Sequence, residues 1–319
     1  MRRLMLAALA ILLAAPAAAQ TYPDRPIRII VPTPAGGPVD VMARLVASAL
    51  PATLGQNLVV ENKPGAGNII GSKIAAEAAP DGYTLTVSAA SGLIMSPMIY
   101  KNAGYDAESF APVALIAETP QLLVVNPQLP VKTVAELVAY AKANPGKLNY
   151  STGGVGTLPH LSAELFKKIA GVDIVHVPYK GGGPALLGVV AGEAQMTFDT
   201  VATSLPLARD GKLRVLAVVG PKRVAELPDV PTMREQGFAT ISTGAWTALL
   251  APKGTPPAIV AKLNAALNKA LAGEPMKSTL AKLGAQPRGG TPQQLAEHMR
   301  SEVKKWTPIV QALNLAGGQ

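Results

Sequence analysis

The sequence predicts an α/β protein with two lobes and largely parallel sheets. Short β-branched runs alternate with amphipathic helical patterns along the chain, which is typical of parallel strands joined by helices. The phrase Val-Pro-x-x-x-Gly-Gly-Pro also occurs twice, at residues 31–38 and 177–184, each time between a β-branched run and a helical pattern. Because the two copies stand in different halves of the chain, they suggest two lobes that face one cleft.

The first part of the chain supplies a regular series of elements. Alternating or β-branched runs predict strands, and apolar residues at helical spacing predict helices. A glycine-rich loop at 64–67 opens the second helix. In order, the predicted elements are strand 27–31, helix 39–50, strand 58–61, helix 68–78 and strand 83–87.

The middle of the chain repeats this pattern after two neighbouring strand-like runs. Thr133 is placed to cap a helix, and Glu136 completes a capping box three residues later. The predicted elements are strands 113–117 and 122–125, helix 133–143, strand 148–151, helix 160–170 and strand 174–177, with the alternation continued by 185–191, 196–199, 205–210 and 213–219.

The carboxyl end is mostly helical, with a last strand at 246–250 and helices near 258–271, 276–283 and 292–312. Such a tail would cap the first lobe, so the chain must cross between the lobes twice. We expect these crossings near 124–127 and between Gly220 and Thr243, where they would make a hinge. The predicted division is a first lobe of residues 20–123 plus 241–319 and a second lobe of residues 124–240.

The amino terminus has the three-part pattern of a secretory signal. Arg2 and Arg3 precede an apolar run at 4–15, and small residues follow up to Ala19. The run is shorter than the roughly 20 residues that a membrane helix needs, so an uncleaved anchor is disfavoured. We expect cleavage after Ala19 and export of a mature chain that begins at Gln20.

Charge and cysteine content exclude several classes of protein. Removal of the leader lowers the net charge from +9 to +9 − 2 = +7. The basic residues are scattered and lack interleaved aromatics, so they do not form a nucleic-acid surface; the charge either attracts small anions or keeps the protein soluble. With no cysteine, the exported fold must rest on its hydrophobic core, which a chain of this length can bury.

The candidate ligand site lies in the loops that follow the strands, because ligands of open α/β sheets bind outside the carboxyl ends of the strands. These loops are rich in glycine, serine and threonine and poor in arginine. Helix N-termini there offer unpaired N–H groups and the positive end of a dipole, which suit an anion. The candidates from these loops are Ser91, Ser151, Thr152, Thr157, His160, Tyr179, Asp199 and Thr203.

Several polar residues also have a structural interpretation. Asp40, in the first turn of its helix, either accepts N–H bonds and favours the dipole or contacts the ligand through water. Asp199 either caps the next helix or binds the ligand. Tyr179 either lines the cleft or packs as an ordinary aromatic residue, and His176, in an apolar strand, is expected to make a core contact.

The sequence carries no catalytic or metal-binding motif. His160 and Glu164 have helical i, i+4 spacing, but only two other histidines exist and no zinc motif surrounds them. The serine and lysine at 301 and 304 lack companion motifs, and the glycine-rich segment 65–71 is one residue too long for a dinucleotide fingerprint. We therefore expect no catalytic residue, no metal and no cofactor.

An ordered set of phrases runs almost end to end through the chain. It comprises Tyr22-Pro23-Asp24-Arg25-Pro26-Ile27, Pro34-Ala35-Gly36-Gly37 with Asp40, Glu61-Asn62-Lys63-Pro64-Gly65-Ala66-Gly67, Pro80-Asp81-Gly82-Tyr83-Thr84-Leu85, Gly146-Lys147-Leu148-Asn149-Tyr150-Ser151, Gly156-Thr157 with His160-Leu161 and Glu164, His176-Val177-Pro178-Tyr179-Lys180-Gly181, Phe198-Asp199 and Leu227-Pro228-Asp229-Val230-Pro231-Thr232. Together these phrases resemble the substrate-binding receptors of tripartite tricarboxylate transporters, the Bug-type proteins.

The resemblance implies a type II periplasmic-binding-protein fold, with a mixed, mostly parallel sheet in each lobe and the ligand in the cleft between them. It also implies a carboxylate cradle, completed by ordered water, at Thr33, Ala35, Gly36, Gly37 and Asp40. The chain departs from the family at two positions. Thr33 replaces a frequent phenylalanine and Ser96 replaces a frequent asparagine, so the departures concern which ligand is bound.

The function expected from the sequence is that of a periplasmic receptor, monomeric and without catalysis. It would capture a small organic acid and pass it to membrane transporter subunits, without nucleic acid as a partner. A secreted hydrolase on a related scaffold and a ligand sensor for a membrane signalling partner are the alternatives. The ligand could be an aliphatic or aromatic acid, an amino acid or an amide.

Overall fold

The computed structural model describes residues 22–220, 222–239, 241 and 244–315. The predicted signal sequence and its cleavage site lie outside the described residues. Within the described part, the chain forms two β-sheets, one of six strands and one of five, and helices flank both sheets. The predicted α/β class is thereby confirmed.

The first sheet contains strands from both ends of the chain. Its strand order is β11-β4-β10-β3-β1-β2, with β1 parallel to both β2 and β3 and the remaining neighbours antiparallel. The six strands are β1 (Ile27–Val31), β2 (Leu58–Asn62), β3 (Thr84–Ala89), β4 (Phe110–Thr119), β10 (Ala245–Pro252) and β11 (Gln286–Gly289).

The second sheet is built from the middle of the chain. Its strand order is β7-β6-β8-β5-β9, with β6 parallel to β7 and β8, and β5 antiparallel to β8 and β9. The five strands are β5 (Gln121–Val125), β6 (Asn149–Thr152), β7 (Val175–Pro178), β8 (Met196–Thr200) and β9 (Arg214–Val219).

Helices cover both sheets. They are α1 (Pro38–Ala49), α2 (Pro51–Leu54), α3 (Ile69–Ala76), α4 (Ser96–Ile99), α5 (Val134–Ala143), α6 (Leu158–Ala170), α7 (Gly182–Val190), α8 (Val201–Arg209), α9 (Pro257–Ala272), α10 (Glu274–Lys282) and α11 (Pro292–Ala312), with 3₁₀ turns at Ala66–Asn68 and Ala107–Ser109 and a π-helical turn at Ser91–Met95. Among the described residues, no helix combines the length and the apolar character needed to cross a membrane.

Strand alternation divides the core of the first lobe into two layers. Ile29 and Val31 pack with Val46 of α1 on one face of the sheet. Ile30, which points to the opposite face, packs with Trp306 of α11. Because successive strand residues point to opposite faces, a strand whose residues 29–31 are all buried must be covered on both sides.

The structure corrects three details of the predicted fold. The boundary predicted at 123/124 falls inside β5, whose pairing lies entirely within the second sheet; the chain passes between the sheets at Pro120. Parallel pairs do not predominate, because four strand pairs of the described chain are parallel and five are antiparallel. Each of the five antiparallel pairs includes at least one of the strands next to the crossings, which are β4, β5, β9 and β10. Strand β11 was not predicted.

Both sheets contain the same unit of three parallel strands. The order β2-β1-β3 in the first sheet corresponds to β7-β6-β8 in the second, so β6 is the counterpart of β1. The repeated phrase begins at the end of β1 in the first lobe but within β7 in the second. Its two copies therefore follow strands that do not correspond, and the true counterpart of loop 32–37 is loop 153–157.

Candidate functional site

In each sheet the three parallel strands end at a common edge, where loops lead into helices. Such an edge, and above all the point at which the chain turns from one neighbouring strand to the other, is where α/β sheets bind ligands. In the first lobe the loops at this edge are 32–37, 63–68 and the π-helical turn Ser91–Met95. In the second lobe they are 153–157, 179–181 and the junction at Thr200.

The first glycine loop ends on the N-terminus of α1. Gly37 is the N-cap residue, with φ −75° and ψ 166°, and Pro38 follows it. Gly36 has φ +80°, a value that favours glycine. Ala35 and Gly36 are exposed and Gly37 is half-buried, so the predicted cradle presents open backbone. The first-turn N–H groups of α1 have no intrahelical acceptor and are available to an anion.

Asp40 supports this loop from within. It is 2% exposed, and its Oδ2 accepts hydrogen bonds from the Gly36 N–H (2.8 Å) and from Arg44 Nε (2.9 Å). Its Oδ1 accepts from Asn62 Nδ2 at 2.9 Å. Burial alone would raise the pKa of Asp40, but the hydrogen bonds from Arg44, Gly36 and Asn62 outweigh it and hold the pKa below its ordinary value. These contacts support the structural interpretation of Asp40.

Asn62 also supports the first glycine loop, although no sequence pattern marked it as a candidate. At the end of β2, its Nδ2 also donates to the Thr33 carbonyl (3.0 Å), and its Oδ1 accepts from Arg44 (3.3 Å). It thereby joins the loop to Asp40. The Thr33 hydroxyl is buried and has no hydrogen-bond partner among the described residues, so it is a polar group that a bound water or ligand atom could satisfy.

The π-helical turn and the glycine-rich loop 63–68 are tied together. Asn68 Nδ2 donates to Ser91 Oγ at 3.3 Å, and both residues are half-buried. The Ser96 hydroxyl lies 2.5 Å from the Gly67 carbonyl oxygen and 2.7 Å from the Ser91 carbonyl oxygen. Ser96 therefore fixes this edge of the first lobe, while Ser91 stands where a ligand could reach it.

In the second lobe, two of the predicted candidates lie behind the loop and not in it. Ser151 is fully buried, and its hydroxyl donates to the Ala185 carbonyl at 2.8 Å. Thr152 is also buried; its Oγ1 accepts from the Gly154 N–H (3.1 Å) and lies 2.6 Å from His176 Nε2. Thr157, the N-cap of α6, is half-buried and donates to the Gly154 carbonyl at 2.8 Å.

His160 is buried behind the same loop. Its Nδ1 accepts from the Gly156 N–H at 3.4 Å, and its ring lies 4.5 Å from that of His176, centroid to centroid. The Tyr150 ring stacks on His176 at 4.8 Å, while its hydroxyl donates to Glu164 at 2.5 Å. Burial lowers the pKa of His160, and that of His176 to about 4, so both rings are neutral near pH 7. The core contact predicted for His176 is confirmed.

The remaining candidates have protein partners of their own. Tyr179 extends along α7, where its hydroxyl donates to Glu193 at 2.8 Å, and a Cβ at Gly188 would lie 2.4 Å from that hydroxyl. Asp199 Oδ2 accepts from Thr203 (2.5 Å) and from Ser204 (2.6 Å). Burial raises the pKa of Asp199, although these hydrogen bonds oppose the shift. The contacts favour the packed interpretation of Tyr179. Asp199 binds two side-chain hydroxyls in the first turn of α8, which favours a structural role over direct contact with the ligand.

The two sheet edges meet. A Cβ at Gly156 would lie 2.9 Å from Ile99 Cδ1, and Leu158 and Leu161 of α6 share a buried cluster with Met95 of the first lobe. On the second-lobe side, a Cβ at Gly153 would lie 2.9 Å from the Gly182 nitrogen. These contacts connect the π-helical turn of one lobe to two glycine loops of the other.

Surface cavities elsewhere do not carry this chemistry. One of about 400 Å³ is lined by Arg214 and Val215, which begin β9 at the level of Val125, at the sheet edge opposite the loops. No group of three or more histidine, cysteine, aspartate or glutamate side chains in the described chain is arranged to hold a metal ion.

Two α/β lobes that touch at the carboxyl ends of their parallel strands, with glycine loops at helix N-termini, define a two-lobed solute-binding protein. The chain matches the family model described as the tripartite tricarboxylate transporter family receptor over residues 42–315. It belongs to that family, as the sequence phrases predicted.

Relatives and solved structures agree with this assignment. The chain is 39% identical to protein BugT of Bordetella pertussis over 304 residues, which cover 93% of this chain and 92% of BugT. It resembles the structure of R. palustris Rpa4515 with adipate (36% identity, TM-score 0.86, 92% and 99% of the two chains covered). It also resembles MatC from Rhodopseudomonas palustris with bound malate (36% identity, TM-score 0.83, 91% and 100% covered). The predicted two-lobed fold is confirmed.

Proposed function

We propose that this chain is a periplasmic receptor that captures a small organic carboxylate between its lobes and delivers it to the membrane subunits of a tripartite transporter. The observation that carries the proposal is the contact between the two sheet edges at Gly156 and Ile99. The contact sets helix α4 of the first lobe against glycine loop 153–157 of the second, which supports a ligand cleft shared by the two lobes. Solved relatives that carry adipate and malate support a carboxylate as the ligand class.

The proposed binding mode uses backbone donors in place of an arginine clamp. In the first lobe, the donors are the first-turn N–H groups of α1 above the exposed loop 35–37, together with the hydroxyls of Thr33 and Ser91. Each charge-assisted hydrogen bond contributes about 1.5–3 kcal/mol net. A few such bonds, less the cost of association, are enough for roughly micromolar affinity.

We propose binding without catalysis. Near the loops, the groups that could act as nucleophile or base are engaged in the protein itself: Ser151 with Ala185, Asp199 with Thr203 and Ser204, and Asp40 with its three donors. The proposed site residues are those that remain accessible at the two edges. They are Ala35, Gly36, Gly37, Ser91 and Thr157, with Asp40, His160 and the buried hydroxyl of Thr33 behind them.

Thermal unfolding of the mature protein tests the proposal. Mono-, di- and tricarboxylates, with adipate and malate among them, are compared with neutral amides of the same carbon skeletons. At least one carboxylate should raise the unfolding temperature as RT ln(1 + [L]/Kd) requires, and its amide should not. Recovery of the ligand unchanged after release separates a receptor from a hydrolase. A broad panel without any stabilising acid would contradict the proposed function.

A further inference from the structure

The two corresponding loops, 32–37 and 153–157, each contain an equivalent hydrogen bond from a glycine N–H to a side chain. The repeated sequence phrase does not reveal this equivalence, because its two copies follow strands that do not correspond. Gly36 and Gly156 each stand one residue before the N-cap of the helix that follows, α1 or α6, and both have φ +80°. Each donates its N–H to the side chain four residues later. The acceptor is Asp40 Oδ2 at 2.8 Å in the first lobe and His160 Nδ1 at 3.4 Å in the second.

The acceptors also occupy the same helical position. Asp40 and His160 are both the third residue after the N-cap, and both are buried, 2% and 4% exposed. In each lobe a residue of the neighbouring edge strand supports the acceptor. Asn62 donates to Asp40 at 2.9 Å, and the His176 ring packs on His160 at 4.5 Å.

We propose that His160 is a positioning residue of the second-lobe binding loop, the counterpart of Asp40, and that it holds Gly156 in place only while its Nδ1 is unprotonated. This proposal rests on the proposed function, because the loop matters for binding only if the ligand lies in the cleft. It assigns His160 to the shape of the loop and not to direct contact with the ligand.

The charge of each acceptor explains why the two loops respond differently to acid. The positive end of a helix dipole stabilises a carboxylate and destabilises an imidazolium. Arg44 adds a cation beside Asp40 at 2.9 Å, which further secures its charged form. The first loop therefore keeps its acceptor into acidic solution, whereas protonation of His160 converts an acceptor into a donor that repels the Gly156 N–H.

The groups around His160 act in opposite directions on its protonation. Burial lowers its pKa and so does the charge of Lys167, whereas Glu164 on the same helix raises it. From β7, His176 is a second neutral ring. From β6, Tyr150 presents its ring, and its hydroxyl is bonded to Glu164. From the first lobe, the apolar side chain of Ile99 lies against Gly156, the donor to His160. Glu164 is thus the one nearby anion in this set, and Lys167 pairs with it at 2.7 Å.

Nuclear magnetic resonance tests the hydrogen bond without any ligand. Long-range proton–nitrogen spectra should show neutral His160 with its proton on Nε2. The Gly156 amide shift should move with the titration of His160, at a pH below the ordinary 6.5, while the Gly36 amide stays unchanged over that range. A neutral His160 protonated on Nδ1, or a Gly156 amide that ignores the titration, would overturn the proposal.

Two substitutions separate positioning from packing. His160→Phe keeps an aromatic ring beside Tyr150 and His176 but removes the acceptor, so the Gly156 amide should exchange with solvent several-fold faster. His160→Asn restores a side-chain acceptor that does not titrate, and should recover protection with no pH step. His298, in the first lobe beside Trp246, is the control histidine, whose titration should leave Gly156 unmoved. Equal protection of Gly156 in both variants and in the wild type would contradict the assignment.

Calorimetric titration with adipate and with malate adds the functional readout. Wild-type affinity should fall on acidification, and the fall should approach about tenfold per pH unit below the pKa of His160. The His160→Asn variant measures how much of this loss of affinity comes from protonation of the ligand itself. Affinity that rises with acidity would show that His160 attracts the anion directly, and the proposal would be wrong. If neither acid binds at pH 7, the titration is repeated with the acid that stabilises the protein most in the panel; if no acid of the panel binds, the proposed function fails, and the spectroscopic result still decides the role of His160.

Discussion

Ile99 of the first lobe and Gly156 of the second lie so close that a Cβ on Gly156 would be 2.9 Å from Ile99 Cδ1. The glycine also has φ +80°, which disfavours any side chain. The two lobes therefore touch through a bare backbone against a fully buried isoleucine. This contact lies beside the hydrogen bond from Gly156 to His160, so packing between the lobes and the shape of the loop meet at one residue.

The first prediction concerns this contact. Gly156→Ala should destabilise the protein by about 1–3 kcal/mol, because it adds backbone strain and a clash with Ile99. Ile99→Val removes the clashing Cδ1 and should cost about 1 kcal/mol by itself. Urea unfolding of both variants and of the double variant measures the coupling.

The double variant should be more stable than the sum of the single effects predicts, because the valine relieves the clash but not the strain. Strict additivity would show that the lobes do not touch at this pair in solution.

The second prediction places the cradle. Gly37→Leu should abolish stabilisation by a carboxylate ligand but leave the fold intact. Its φ of −75° suits any residue, and its Cβ would meet only the Pro34 oxygen at 3.4 Å, so the leucine would occupy the space in front of the α1 N-terminus. Thermal shifts with and without ligand measure the effect.

Gly273→Leu is the matched control. Gly273 is also an N-cap glycine, before α10, with φ −79° and ψ 143° and a proline within the first helical turn. This substitution should preserve ligand stabilisation. Retained binding in Gly37→Leu, or equal loss in both variants, would mean that the cradle has been misplaced.

The elements that the sequence predicted well are those with a local pattern. A β-branched run predicts strand β1, and apolar residues at helical spacing predict helix α1. Strand β11 has no such pattern, since Gln286, Pro287 and Arg288 are exposed, and only its pairing with β4 makes it a strand. The predicted lobe boundary lies a few residues too late because β4 and β5 are both apolar, and only strand pairing shows which sheet each strand joins.

The candidate site divides in the same way. The glycine loops could be found from composition and from their place after strands. Asn62 could not, because its partner Asp40 is 22 residues away and the contact exists only once β2 lies beside β1. The burial of Ser151 and the direction of Tyr179 also depend on tertiary packing. The repeated phrase correctly predicts two glycine loops, but the order of the strands in each sheet determines which loops of the two lobes correspond.

The third prediction concerns acid stability. The pKa of Asp40 is lower in the folded protein than its ordinary value of 3.8, so folding disfavours its protonation. The stability it contributes is complete above that ordinary value and is lost as the pH falls through the lowered folded value. When the urea midpoint of unfolding is plotted against pH, Asp40→Asn should make the curve flatter between about pH 5 and pH 2.

Asp40→Ala should cost about 3 kcal/mol at pH 7, since the Gly36 N–H and the Asn62 amide lose their acceptor. Arg44→Met is the comparison variant, because it removes one donor to Asp40 and keeps the acceptor of Gly36 and Asn62. Since Arg44 is 55% exposed but Asp40 only 2%, it should cost more than a surface ion pair does and less than Asp40→Ala. An alanine variant as stable as the wild type would show that Asp40 does not support the loop.

The fourth prediction uses the only two tryptophans of the chain. Trp246 of β10 and Trp306 of α11 both donate to Oε2 of the buried Glu302, at 3.2 and 3.0 Å. Glu302→Leu would leave two buried indole N–H groups without an acceptor, which costs about 1–3 kcal/mol for each group.

Glu302→Gln keeps an acceptor oxygen and should lose less. Lys305→Met removes the ion pair to Oε1 and the cation that lies 5.1 Å from the centre of the Trp306 ring, but it leaves the acceptor of both indoles, so it should lose less stability than Glu302→Leu. Because α11 packs against the first sheet and α6 of the second lobe, near-ultraviolet circular dichroism and tryptophan emission should change in the same order as stability. A leucine variant with wild-type spectra and stability would show that this carboxylate does not hold α11 in place.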